Sequence, residues 1–229
     1  MSVTPTPLEL VILDVNETLF ALQPVEIRMA EVGLEGQFEL WFTQILRDGF
    51  AAAAAGGFAG FRDLASHHLR ELLRRHQVDA ADAEVSHVLA GFDEVLPHPD
   101  VAAGLTRLHS AGIPAVALAN GSAELTRAFL DRGGLSDLVA AVHDVSEVGR
   151  WKPAPEPYRF VLERRGVAPA AAAMVAAHPW DLFGAGSVGL VTAWVDRDGA
   201  GYPEAFGSPD VSAARFDDLV ERLVTAPRT

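Results

Sequence analysis

Leu8-Glu9-Leu10-Val11-Ile12-Leu13, running straight into Asp14-Val15-Asn16-Glu17-Thr18, is the stretch on which the fold turns. A branched apolar run that ends at an acid reads as a strand covered on both faces, with its chemistry placed where the strand stops. Three later runs have the same form. Residues 114–118 stop at Ala119-Asn120-Gly121-Ser122, residues 173–177 at His178-Pro179-Trp180-Asp181, and residues 190–195 at Asp196-Arg197-Asp198. Helical stretches lie between them: 101–110 before Gly112, 122–132 before Gly133-Gly134, and 156–165 before Gly166, each glycine suited to a left-handed helix stop. The alternation predicts an α/β protein with a doubly wound, Rossmann-like parallel sheet. Ligands of such sheets bind beyond the carboxyl ends of the strands, so Asp14, Asn120, His178 and Asp181 are expected at one rim.

Residues 21–95 break the pattern. The stretches 24–33, 37–55, 58–76 and 80–95 carry apolar residues at helical spacing and almost no strand-like run. They predict a helical-bundle cap inserted after the first strand, with 1–20 and 96–229 forming the core domain. Leu96-Pro97-His98-Pro99 is the return point, because proline ends helices and extends the residue before it. A cap over the strand ends would exclude water from a site. A plain embellishment of the fold is the alternative, and the sequence leaves both open.

Of the eighteen basic residues only one is a lysine, Lys152, in Arg150-Trp151-Lys152-Pro153. An ammonium is compact enough to lie between two carboxylates, whereas a guanidinium is not, so the lone lysine is a site candidate. The paired Arg74-Arg75 and Arg164-Arg165 read as solvated helix ends, and His67, His68, His87 and His109 as surface or satisfied helix residues. A net charge of -13 over 229 residues excludes a counterion-releasing nucleic-acid surface. No apolar run approaches the roughly 18 residues of a membrane span, and residues 1–7 lack an export signal, which predicts a soluble, cytoplasmic protein. The absence of cysteine excludes disulfides and thiolate metal sites.

Taken in order, Leu13-Asp14-Val15-Asn16-Glu17-Thr18-Leu19, Ala119-Asn120-Gly121-Ser122, Trp151-Lys152-Pro153 with Tyr158, and His178-Pro179-Trp180-Asp181 resemble the motifs of the haloacid dehalogenase superfamily over nearly the whole chain. Within it the chain looks most like the bacterial type II L-2-haloacid dehalogenases. The resemblance implies a hydrolase that cleaves carbon-halogen bonds of small 2-haloalkanoic acids, with Asp14 attacking the halogen-bearing carbon to form an ester that water then hydrolyses. It implies that Thr18 orients the loop, that Lys152 keeps Asp14 ionised, and that Asp181 stands near the lytic water. Asn120 and Trp180 would line the substrate and halide side, with Tyr158 near the site. Asn16, Phe42, Gly121 and Ser122 complete the expected substrate-binding set. No cofactor is implied. Related dehalogenases are often homodimers, and the sequence leaves the oligomeric state open.

The charges agree with a small anionic organic substrate. With Asp14 and Asp181 ionised around one ammonium, the pocket is near -1, and a monoanion could be held by Lys152 and free backbone N–H groups of the helix after Asn120. A phosphate dianion would be repelled. Phosphatases of the superfamily carry a second aspartate two residues after the nucleophile and a magnesium ion; here Asn16 stands in that place and cannot shuttle a proton. Magnesium enters only under that alternative.

Several positions depart from the dehalogenase pattern. Asn16 and Glu17 replace a tyrosine and a glycine, and Ala119 replaces a serine whose hydroxyl Ser122 either supplies or, as an N-cap, does not. Trp41 is followed by Phe42 rather than by an arginine for the halide, with Arg47 the nearest cation. Ala176 and His178 replace serine and asparagine. His178 either handles the lytic water, its ordinary pKa being near neutral, or satisfies a loop carbonyl. These losses keep open a second class, a catalytically weak family member that binds a small anion or a protein partner.

Overall fold

The computed structural model describes residues 7–78 and 82–225. Its main sheet contains β1 (Leu10–Leu13), β4 (Ala115–Ala119), β5 (Ala141–Asp144), β6 (Ala172–Ala176), β7 (Val191–Val195) and β8 (Val211–Ala213). The order is β5-β4-β1-β6-β7-β8, and every pairing is parallel. From β1 the chain builds outward through β4 to β5, then crosses back to the other side of β1 and builds outward again. The reversal lies at β1, so the crevice beyond Leu13 is the expected ligand position of this topology.

The period-two pleat sorts the central strands between two cores. Val11 and Leu13 join Ala115, Ala117, Ala173 and Val175 on one face, covered by α5 (Val101–Ser110), α6 (Ala123–Arg132) and α9 (Phe216–Thr225). Leu10 and Ile12 join Val116, Leu118, Ala172 and Met174 on the other, under α7 (Pro155–Arg165) and α8 (Pro179–Val188). A strand covered on both faces must be apolar throughout, and β1, β4 and β6 are buried at every residue. The doubly wound α/β fold expected from the sequence is the fold observed.

After β1 the chain forms β2 (Phe20–Ala21) and then the helices α1 (Gln23–Glu31), α2 (Phe38–Ala54), α3 (Phe61–Arg75) and α4 (Asp82–Leu89), followed by a 3-10 turn over Ala90–Glu94. It returns through β3 (Leu96–Pro97), which pairs antiparallel with β2. This short ribbon joins helical unit and sheet at the place where Pro97 reads as a boundary. The helices do not have a separate interior: Trp41, Ile45, Leu69 and Leu72 belong to the same buried cluster as Val11 and Leu13.

The reading of one helix over 80–95 is corrected, because the α-helix ends at Leu89; residues 80 and 81 of that span, and all but the last residue of 1–7, lie outside the described residues. Gly91 explains the change. A Cβ there would come within 2.8 Å of the Val25 Cα, so the tight turn lets α1 pass. Both edge strands are absent from the sequence reading. β5 is half-buried at each position and ends His143-Asp144, and β8 spans three residues, so neither has an apolar run to display. No helix among the described residues is long and apolar enough to cross a membrane.

Gly49 on α2 lets the helical unit approach Trp151 closely. A Cβ at that position would stand 2.4–2.6 Å from ring atoms of Trp151, whose indole N–H donates to the Ala59 carbonyl at 2.8 Å. Trp151 is fully buried and adjoins Lys152. Gly49→Ala is therefore expected to lower stability by about 1–3 kcal/mol through overpacking, although alanine is favoured in helices by about 1 kcal/mol. Urea unfolding checks this; a variant more stable than wild type would contradict the packing argument.

Candidate active site

Asp14 follows β1 directly, Asn120 follows β4, and His178 and Asp181 belong to the turn from β6 into α8, so the central strands deliver four side chains to one rim. Lys152 arrives from the loop before α7. Its ammonium donates to Asp14 Oδ1 at 2.8 Å and to Asp181 Oδ2 at 2.7 Å. Lys152 and Asp181 have no exposed surface and Asp14 only 5%. The second Asp14 oxygen, Oδ2, accepts from the Thr18 hydroxyl at 2.6 Å and lies 2.8 Å from His178 Nδ1. Thr18 Oγ1 in turn accepts the Ala177 N–H at 2.9 Å, tying the loop after β1 to the loop after β6.

The remaining expected residues divide by place. Asn120 accepts the Lys152 backbone N–H at 3.0 Å and so holds the lysine loop. Tyr158 is buried behind Asp181 and donates to its Oδ1 at 2.5 Å; it does not line the cavity against Asp14, because α7 packs it into the core of the opposite sheet face. Ser122 Oγ accepts from the Leu125 N–H at 3.3 Å as the N-cap of α6. The free N–H groups expected on that helix are partly taken as well, since Ala123 N–H donates to Asp144 Oδ2 at 2.7 Å. His178 bonds the Asp14 carboxylate rather than a loop carbonyl.

A small cavity of about 10 Å³ sits against Asp14. Asn16, Asn120 and His178 give its polar wall, and Phe42, Leu46, Phe61 and Trp180 its apolar wall. Two larger clefts between the helical unit and the rim, about 680 and 610 Å³, adjoin it. Gly121 and Ser122 line the first of these rather than the cavity itself. Phe42 stands 6.3 Å from the His178 ring, and Arg47 pairs with its neighbour Asp48, away from the cavity.

Arg197 and Asp100 escaped the sequence reading. Arg197 donates to the Thr18 carbonyl at 2.7 and 3.2 Å and to Asp100 Oδ2 at 2.7 Å, and the same Asp100 oxygen accepts the Phe216 N–H. The loop carrying Asp14 is thus clamped from β7 and α9. Arg197 lies at the end of the fourth apolar run, which was the available signal. Glu17 has φ +58°, the left-handed region that glycine favours, and its carboxylate accepts the Leu22 N–H at 2.7 Å at the start of α1.

The family model for haloacid dehalogenase-like hydrolases matches residues 8–189. The chain belongs to that family. This hydrolase is similar to (S)-2-haloacid dehalogenase 4A of Burkholderia cepacia, 28% identical over 191 residues, 82% of this chain and 83% of that one. A crystal structure of a dehalogenase with intermediate complex superposes with TM-score 0.87 at 25% identity, covering 98% of this chain and all of the other. A phosphoserine phosphatase of Thermus thermophilus is 37% identical over 125 residues, 54% of this chain and 49% of its own.

Electrostatics separate the two acids of the hydrolase. Burial opposes the charge of Asp14, but the Lys152 ammonium and the hydrogen bond from His178 outweigh it and hold the carboxyl well below the usual range. Burial raises Asp181; Lys152 opposes that rise and the charge of Asp14 adds to it, leaving it above the usual value. Burial also works against the charge on Lys152, and the two carboxylates outweigh it, raising its pKa. Two acids sharing one cation are expected to split in this way.

Lys152→Met leaves two buried carboxylates without their cation and should lower stability by about 3–5 kcal/mol at neutral pH. An acid stripped of its cation has a raised folded-state pKa, so the folded variant binds protons more readily than its unfolded chain and is stabilised as pH falls. The lowered Asp14 of wild type acts oppositely: its contribution is present above the ordinary carboxylate range and is lost as pH falls from that range toward its lowered folded value. The difference in denaturant midpoint is therefore expected to narrow on acidification, and a difference independent of pH would contradict the assignment.

Proposed function

We propose that this hydrolase cleaves the carbon-halogen bond of small 2-haloalkanoic acids through an ester on Asp14, without a metal ion. The observation that carries the reading is an ionised aspartate, held by donors on both oxygens, against a small cavity with an aromatic wall. A carboxylate is a weak nucleophile in water; removed from water and oriented, it can displace halide in line. Oδ attacks the substrate carbon, the carbon-halogen bond breaks, and halide departs with the electron pair. Water then attacks the Asp14 carbonyl carbon, the 2-hydroxy acid leaves, and the carboxylate is restored.

In this reading Lys152 balances Asp14 and Asp181, Thr18 orients the carboxylate, Tyr158 and Asn120 support Asp181 and the lysine loop, and Asn16, Phe42 and Trp180 shape the substrate side. Residues 21–95 serve as a lid over a core of 1–20 and 96–229. The donor set argues for metal independence. All four oxygens of Asp14 and Asp181 already accept from Lys152, Thr18, His178 or Tyr158, and Asn16 supplies no third carboxylate. Among the described residues no group of three or more His, Cys, Asp or Glu side chains is placed to hold a metal. The net charge of -13 suits an enzyme without a nucleic-acid partner, and the reading is of a cytoplasmic enzyme.

Halide release from 2-chloropropanoate or fluoroacetate is expected from wild type, unaffected by EDTA and abolished in Asp14→Asn. Magnesium-dependent phosphate release from phosphoserine, with no halide release, would select a phosphatase, the activity named for the Thermus relative. Silence in both assays from a folded protein would select a binding role.

A further inference from the structure

Asn16 lies two residues past Asp14, is half-buried, and lines the cavity against it. Its side-chain amide forms no hydrogen bond to another described residue. Asn120, the other amide on that wall, is occupied at both ends: its Oδ1 accepts the Lys152 N–H at 3.0 Å and its Nδ2 donates to the Lys152 carbonyl at 3.4 Å. A donor that faces a cavity without an acceptor of its own is one that a bound molecule can satisfy. The Asn16 amide nitrogen stands 3.9 Å from where a Cβ at Gly121 would lie, so the amide leans toward the loop after β4.

The cavity has two unlike edges. The strand order β4-β1-β6 places Ala119, Asn120 and Gly121 on one side of the Asn16 loop and His178 and Trp180 on the other. On the β6 side the rings gather: Trp180 stacks on His178 with centroids 5.1 Å apart, and Phe42 adjoins the histidine. On the β4 side the groups expected to hold a monoanion are engaged elsewhere. Lys152 has no exposed surface and gives its ammonium to Asp14 and Asp181. Ser122 caps α6, the Ala123 N–H is taken by Asp144, and Ala119 carries only a methyl group. Among the side chains of that edge, Asn16 is the donor that remains.

Resting on the reading of Asp14 as the attacking group, we propose that Asn16 determines specificity for the acid: its amide N–H donates to the carboxylate of the 2-halo acid at the β4 edge, leaving the halogen to the aromatic edge. In-line displacement puts the attacking oxygen, the carbon and the halogen on one line, so the carboxylate on that carbon branches to the side. An edge of donors receives it there. A neutral amide does this without adding charge beside Asp14, Asp181 and Lys152, so the ionisation of the nucleophile is undisturbed. The substrate carboxylate keeps its charge while the carbon-halogen bond breaks. Its bond to Asn16 therefore serves bound substrate and transition state equally and is read in KM rather than in kcat.

Asn16→Leu keeps the bulk of the side chain and removes its N–H. Halide-release kinetics with 2-chloropropanoate should show kcat/KM lowered about 10–100-fold, through KM, the range for a hydrogen bond to a charged group. The inhibition constant of propanoate, which has the carboxylate and no halogen, should rise by the same factor. Asn16→Ser retains a donor and should lose less; Asn16→Ala is read as the leucine variant is, should that one fail to fold. A folded leucine variant with the KM and propanoate inhibition of wild type, one that loses kcat with KM unchanged, or a serine variant as impaired as the leucine one overturns the role of Asn16 alone. Wild type that releases no halide at all overturns the reading of Asp14 on which it rests.

Discussion

The structure depends on one buried ammonium. Lys152 sits between Asp14 and Asp181, each within 2.8 Å, where none of the three groups has more than slight contact with water. Removing the ammonium would leave two carboxylates uncompensated in a medium that solvates them poorly. Three stretches of chain distant in sequence are therefore fixed to one point, and the energy that would otherwise be supplied by water is supplied by their mutual geometry. The same arrangement that constrains the fold makes Asp14 an ionised group facing a small cavity with one aromatic wall, a setting in which a carboxylate can act as a nucleophile.

The parallel sheet brings these groups together before any side chain chooses its partner. Because the strand order reverses at β1, its carboxyl end is flanked by those of β4 and β6, and the loops there converge. The helical unit closes on this rim through specific contacts. Trp151 packs against Gly49 and bonds Ala59, while Arg150 bonds the Gly57 carbonyl. The residue before Lys152 is thus held by the helices and Lys152 itself by the site, so the placement of the helical unit and that of the ammonium are mechanically linked.

The central strands were legible in the sequence because burial on both faces leaves no room for polar residues, as in Leu10-Val11-Ile12-Leu13. The half-exposed edge strand ending His143-Asp144 was not, since its burial does not dictate composition. Asp14 and Asp181 could be selected by residue type and by position after strands, and Lys152 as the one lysine in the chain. Their distances could not. Tyr158 shows the limit of a motif: the residue type marked the neighbourhood, while the helix it sits on turned the hydroxyl toward Asp181 from behind. Arg197 was hidden for a different reason, because it acts on the backbone carbonyl of Thr18, a group that no sequence pattern identifies.

The departures from the dehalogenase pattern acquire a physical sense when placed in the fold. Phe42 in place of a cation leaves that side of the cavity wall apolar, and His178 in place of an amide adds a titratable group in contact with Asp14. The central claim is that Asp14 itself becomes the ester. A single turnover of 2-chloropropanoate in heavy-oxygen water, with enzyme in excess and peptides analysed by mass spectrometry, tests it most directly. The account predicts one heavy oxygen in the peptide containing Asp14 and none in the product 2-hydroxy acid; label in the product with that peptide unchanged would contradict it.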